Sequence, residues 1–265
     1  MPGFPTPREI GRWSVRRRAT GVIPPPGQRR SMDVRGEREC KSCGTRWSYF
    51  ETGSVECPSC GSRRSVGVGE RETHTDTADA LDLTAAQRAG SEDVLDALEP
   101  ATEACREYCR SRGFVSGGTL LDLDDTYLAA AELWRVGVVL AGQHAISDDE
   151  QRHVVALLHG AADGDRPTPA AVPASLRGPR GLAAAAAVDA YRTDVRAYCG
   201  GDVPMPERDL LERAREHGRR VDALDGEVDP QDSARLVAAV RAIGDALRGD
   251  EAGIERARTR LNALG

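Results

Sequence analysis

Two cysteine pairs decide most of what this chain can become. Cys40-Lys41-Ser42-Cys43-Gly44 and Cys57-Pro58-Ser59-Cys60-Gly61 repeat one pattern, C-x2-C-G, with thirteen residues between the pairs. Each pair fits a tight turn that aims two thiols at one point, and the glycine behind it permits the left-handed backbone such a turn needs. Four thiolates held about 2.3 Å from a common centre make a closed tetrahedral metal site. Two disulfides or four free thiols would use the same residues, but neither calls for the paired glycines. Zinc is the expected ion and iron the alternative, because four-sulfur geometry suits both. With Cys40, Cys43, Cys57 and Cys60 as the ligands, no position remains for water or substrate, so the site is expected to be structural. A ribbon of about 40 residues cannot build a sufficient core alone, and metal binding then supplies folding free energy.

Charge is distributed unevenly. Residues 1–31 carry a net +6, residues 32–75 a net of zero, and the remainder a net −12. An acidic body argues against a large nucleic-acid surface, which needs clustered Lys and Arg. Of the 36 basic residues only Lys41 is a lysine, and aromatics make up 4%. This usage fits a GC-rich genome and a halophilic, salt-adapted source. High salt weakens phosphate contacts further, since the Debye length falls to about 3 Å at 1 M. No stretch approaches the roughly 18 apolar residues of a membrane span. Arg16-Arg17-Arg18 is followed by prolines rather than an apolar core, so it does not read as a twin-arginine signal. Paired metal-ligand cysteines fit a reducing, cytoplasmic setting better than a disulfide scaffold.

Taken in order, residues 1–31 have no helical or strand period and read as a disordered extension. Translation from Met32 would make them a gene-model artefact, and a basic arm is the functional alternative. Residues 32–72 form the four-cysteine ribbon. Arg46–Thr52 and Ser65–Val68 read as strands, with Trp47, Tyr49 and Val66 covering the metal and a small core. Arg63 and Arg64 beside the second knuckle are the candidates for a phosphate or protein contact. Residues 73–90 are polar and read as a linker, where His74 lies near a ligand set already complete.

The two knuckles and the aromatic segment Arg46–Phe50 resemble the zinc ribbon of the transcription factor B type. Residues 32–265, including Leu123-Asp124-Asp125-Thr126-Tyr127-Leu128-Ala129-Ala130, resemble an uncharacterised haloarchaeal family with such an N-terminal ribbon. That resemblance implies zinc at the four cysteines and no established activity. Ribbons of this kind also occur in polymerase subunits, ribosomal proteins and metallochaperones. Transcription factor B would carry a pair of cyclin-like helical repeats, and no convincing repeat is present.

From Ser91 the apolar period is helical. Residues 91–160 form the first helical part, residues 161–180 with four prolines a flexible joint, and residues 181–265 the second helical part. About seven helices are expected. The run from Asp124 to Ala141 carries apolar residues on several sides and should be central to the body. Cys105 and Cys109 share a helix face and could bind a metal together with Cys199, but no histidine or carboxylate joins them in a motif and the expected role is that of buried small apolar side chains.

Two motifs invite an enzymatic reading. Leu120-Leu121-Asp122-Leu123-Asp124-Asp125-Thr126 resembles the haloacid-dehalogenase-type phosphatase signature, which would make Asp122 the nucleophile and Asp124 the general acid. That chemistry needs a parallel sheet and a downstream cation, usually lysine, and no lysine follows Lys41. The plain reading is an acidic helix start favoured by the helix dipole. Glu150-x-x-His153 matches half of a di-iron carboxylate site, but no second such pair occurs. Ser147-Asp148-Asp149-Glu150 reads as a capping box.

The expectation is therefore a small β zinc ribbon followed by an all-α helical bundle. Its function would be that of a zinc-binding, non-enzymatic interaction protein with a protein partner and nucleic acid as a further contact through the ribbon. An iron-loaded, rubredoxin-like redox or metal-handling protein is the alternative, and phosphatase-like use of Asp122 and Asp124 a remote one. No small-molecule substrate or catalytic residue is identified.

Overall fold

β1 (Met32–Cys40) is the middle strand of a three-stranded antiparallel sheet in the order β2-β1-β3, in a computed structural model that describes residues 32–77 and 79–264. Expectations for residues 1–31 lie outside the described residues. β2 (Arg46–Ser48) and β3 (Ser65–His74) flank it, with Glu39 opposite both Arg46 and Val66. The strand expected over Arg46–Thr52 is cut short. Ser48 Oγ accepts the Glu51 amide and starts a one-turn helix, α1 (Tyr49–Thr52), which Gly53 closes in the left-handed conformation. The side chains of α1 consequently turn toward the sheet end: Phe50 packs 4.6 Å from His74. Trp47 is buried beside Cys40 and Cys57, as expected, whereas Val66 is more than a third exposed.

β3 runs directly into the helical body. The Thr75 and Asp76 amides donate to the Val115 carbonyl, and the Gly118 amide donates to the Thr73 carbonyl. Val115 belongs to a two-stranded hairpin, β4 (Val115–Ser116) and β5 (Thr119–Leu120), absent from the all-α expectation. Its two-residue turn is Gly117-Gly118, both at positive φ, as the favoured hairpin turns require.

Residues 73–90, expected as a linker, are packed. Leu81, Leu83 and Ala86 are buried, the last on α2 (Thr84–Ala89). Seven helices of ten residues or more follow among the described residues: α3 (Val94–Ser111), α4 (Asp125–Leu140), α5 (Asp148–Gly160), α6 (Arg177–Tyr198), α7 (Glu207–Ala223), α8 (Pro230–Leu247) and α9 (Gly253–Asn262). Residues 161–180, expected as a flexible joint, hold three single 3-10 turns and the buried start of α6.

α4 is the central element, buried on nearly every side and packed against α3, α5 and α6. Its contact with α3 is close because Gly137 faces Thr102, where a Cβ would collide with the hydroxyl. α6 presents Ala183, Ala184 and Ala187 inward, so small side chains let α4 and α8 approach it. Phe114, fully buried, lies 5.0 Å from Tyr127 and 5.1 Å from Tyr191 in edge-on geometry, which joins the hairpin to α4 and α6.

Candidate metal centre

The two knuckles are built alike. In each, the amide of the following glycine donates to the first cysteine's carbonyl at 2.9 Å: Gly44 to Cys40 and Gly61 to Cys57. Both glycines take positive φ, 76° and 68°. The chain then returns past the first cysteine, whose amide donates to Thr45 O or Ser62 O. Ser42 Oγ and Ser62 Oγ stand 3.0 Å apart and join the knuckles directly.

The four sulfurs converge, all lying within 4.8 Å of one another. Cys40 Sγ is 3.7 Å from Cys60 Sγ and Cys43 Sγ is 3.6 Å from Cys57 Sγ. A tetrahedron with metal–sulfur bonds of about 2.3 Å has edges of about 3.8 Å. The cluster therefore fits one metal ion, and its geometry alone does not choose between zinc and iron. Cys40 and Cys57 are buried under Trp47, while Cys43 and Cys60 are exposed.

Local groups favour the thiolate at Cys43 and Cys40. Thr45, through its hydroxyl and then its amide, holds the Cys43 thiol down at about 6. The Ser42 amide, 3.4 Å from Cys40 Sγ, draws Cys40 below the ordinary thiol range. Cys60 is pushed up to about 12: the Ser62 amide lowers it, but Cys43, burial, Cys40 and Cys57 together outweigh that amide. Four thiols this close resist carrying four negative charges, and a bound dication removes that resistance.

The cations around the knuckles are largely matched. Glu39 accepts from Arg46 at 2.8 Å and from Lys41 at 3.3 Å, and Glu56 pairs with Arg63 at 3.4 Å. Arg63 and Arg64 are both exposed.

The other motifs go elsewhere. Asp122 pairs with Arg248, and Asp124 caps α4 through the Tyr127 amide at 2.7 Å while binding Arg112 at 3.0 Å. The sheets among the described residues are antiparallel, so the strand framework of the phosphatase signature is missing there. Glu150 closes the capping box with Ser147 and accepts from Ser175 Oγ at 2.6 Å. His153 turns away from it. Cys105 and Cys109 are buried, and burial pushes the Cys105 thiol up.

His153 instead meets Glu132, a residue the apolar periods had passed over. Glu132 is fully buried in the middle of α4, with Oε1 2.9 Å from His153 Nε2. Its Oε2 is 2.7 Å from Arg180 Nη1 and 2.9 Å from Arg166 Nε. The available signal was a single carboxylate inside the run Ala129-Ala130-Ala131-Glu132-Leu133.

Fold and site together define a small antiparallel sheet bearing a four-cysteine cluster, docked on a helix-rich body. The profile of a family of unknown function, DUF7117, matches residues 32–261, and the chain belongs to that family. No curated protein and no solved structure matches it. No helix among the described residues is long and apolar enough to cross a membrane.

Proposed function

We propose that the chain is a zinc-binding, non-enzymatic interaction protein that presents its ribbon to a protein of the transcription or translation machinery. The observation that carries this reading is the closed four-sulfur cluster, with Cys43 and Cys60 at the surface and no place for a substrate. The ion would fix two adjoining loops, Lys41–Gly44 and Pro58–Arg64, in one shape. Their cations are interleaved with Glu39 and Glu56, which suits a mixed-charge protein surface better than a polyphosphate backbone. The net −12 of the region beyond the ribbon adds a second docking surface for a basic partner.

The test is purification from the native cells at native salt, beside a Cys57→Ser/Cys60→Ser variant. Polymerase or ribosomal proteins retained by the intact ribbon and lost in the variant support the proposal. RNA or DNA retained in the same ribbon-dependent way would instead make the ribbon a nucleic-acid contact through Arg63 and Arg64. A protein complement indifferent to the variant overturns the role of the ribbon.

An iron-loaded, metal-handling role is the second reading, favoured by the exposure of Cys43 and Cys60, which leaves that edge of the cluster open to exchange. Metal content and the visible spectrum separate the two, because iron thiolates absorb and zinc thiolates do not.

A further inference from the structure

The buried charges around Glu132 do not balance. The Arg166 and Arg180 side chains retain 9% and 4% of their exposure, and both converge on one oxygen of one carboxylate. The Arg166 contact is an ion pair without hydrogen-bond alignment, and Arg180 Nε is buried with no hydrogen-bond partner. Two guanidiniums thus share one carboxylate, and these three groups together carry a net positive charge. Burying an uncompensated charge is costly, so an anion bound beside it would stabilise the group.

Arg166 and Arg180 both line a surface cleft of about 310 Å³. It opens between the start of α4, the loop 164–169, the start of α6 and the middle of α8. Arg241 stands on its wall, with Nη2 2.9 Å from Asp125 Oδ1 and Nε donating to the Leu123 carbonyl at 2.6 Å. The cleft also contains Thr168 and the exposed Asp165. Asp125 is thus already matched by Arg241, and Glu132 is shared between two arginines. Burial also draws the Arg166 guanidinium down to about 10 in spite of Glu132 beside it. An anion entering the cleft would meet two largely buried arginines that share the Glu132 carboxylate, with Asp125 a further negative charge near Arg166. Such sites bind planar or tetrahedral oxyanions through paired N–H donors. The volume lies at the lower end of the roughly 300–1,000 Å³ range of small-molecule sites.

We propose that this cleft binds a small phosphate- or carboxylate-bearing molecule, with Arg166 and Arg180 on its floor and Arg241 and Thr168 at its wall. The site is separate from the four-cysteine cluster and independent of any role assigned to the ribbon.

The test is calorimetric titration of the full chain with inorganic phosphate and, separately, with malonate, at fixed ionic strength in potassium chloride. Saturable binding of either probe is expected, and the tighter one identifies the headgroup. Arg166→Gln should weaken it by roughly tenfold or more, the value of one lost charge-assisted contact. Because Arg166 also contacts Glu132, that variant is checked by circular dichroism. If it does not fold, Arg241→Gln and Thr168→Val, both at the cleft wall, take its place and should weaken binding severalfold. No saturable binding of either probe, or binding unchanged in the folded variants, overturns the proposal.

Discussion

Asp194 on α6 accepts the Phe114 amide at 2.6 Å and the Thr75 hydroxyl at 2.8 Å with a single carboxylate oxygen. The carboxylate is almost fully buried. It therefore ties the segment leaving the ribbon and the segment entering the hairpin to the same helix. Thr75 Oγ1 in turn accepts the Val115 amide at 3.1 Å, so one side chain anchors the ribbon's exit to the body. Removing a buried acceptor strands its donors, at a cost of about 1–3 kcal/mol for each. Asp194→Ala is expected to destabilise the chain by about 3 kcal/mol in chemical denaturation. A loss below about 1 kcal/mol would mean that water replaces the carboxylate.

Metal removal should act locally. The ribbon's own core is little more than Cys40, Trp47 and Cys57, whereas the helical body buries a continuous cluster from Leu81 to Leu261. Chelation or Cys57→Ser/Cys60→Ser should abolish amide-exchange protection in β1 and β2 and leave most of the helical circular dichroism intact. About one ion per chain should be released. Loss of the helical signal on chelation would show that the body depends on the ribbon for its fold.

Glu132 carries an acid-side prediction. Burial pushes its carboxyl up, but the His153 bond and the Arg166 and Arg180 charges outweigh that and hold it below the ordinary carboxylate range. A depressed carboxyl binds its proton less tightly when folded. Its stabilisation is present above the unfolded value of about 4.3 and is lost as pH falls through the folded one. Glu132→Gln should cost about 3–5 kcal/mol at neutral pH, because it leaves two buried guanidiniums without their carboxylate. Denaturation curves between pH 7 and pH 3 check both the size and the flattened acid limb.

What could be read from the sequence followed the range of each interaction. The cysteine cluster is local: two turns, each stated within five residues, need only one closure to meet. The long helices announced themselves by apolar period, and α8 with Leu236, Val240 and Ile243 is the plainest case. The hairpin at Val115–Leu120 escaped because strands of two residues are too short to alternate. The start of α6, Arg177-Gly178-Pro179-Arg180-Gly181, reads as a breaker, yet it is helical and buried. Gly181 is needed there, since a Cβ would collide with the Gly226 carbonyl. Glu132 meets His153 and Arg180 across 21 and 48 residues, and Asp194 meets Thr75 across 119. No periodicity in one segment reports such partners. The prolines of residues 161–180 suggest a joint in the sequence, and in the fold that stretch holds three 3-10 turns and the start of α6.

His74 supplies a second, separate pH window. It ends β3, packs against Phe50 and is buried, and its Nδ1 has no hydrogen-bond partner among the described residues. Burial lowers its imidazole below the usual histidine range, with Asp76 pulling weakly the other way. The unfolded chain takes up this proton near pH 6.5, while the folded chain resists it until lower pH. The unfolded state then binds more protons, so stability falls as pH drops from about 6.5 through the folded value. The loss should appear first at the ribbon–body junction, where His74 sits opposite Met32. Exchange protection of β3 measured between pH 8 and pH 5 should decline over that interval in the parent chain and stay flat in His74→Gln. An equal decline in the variant would assign the transition to another group.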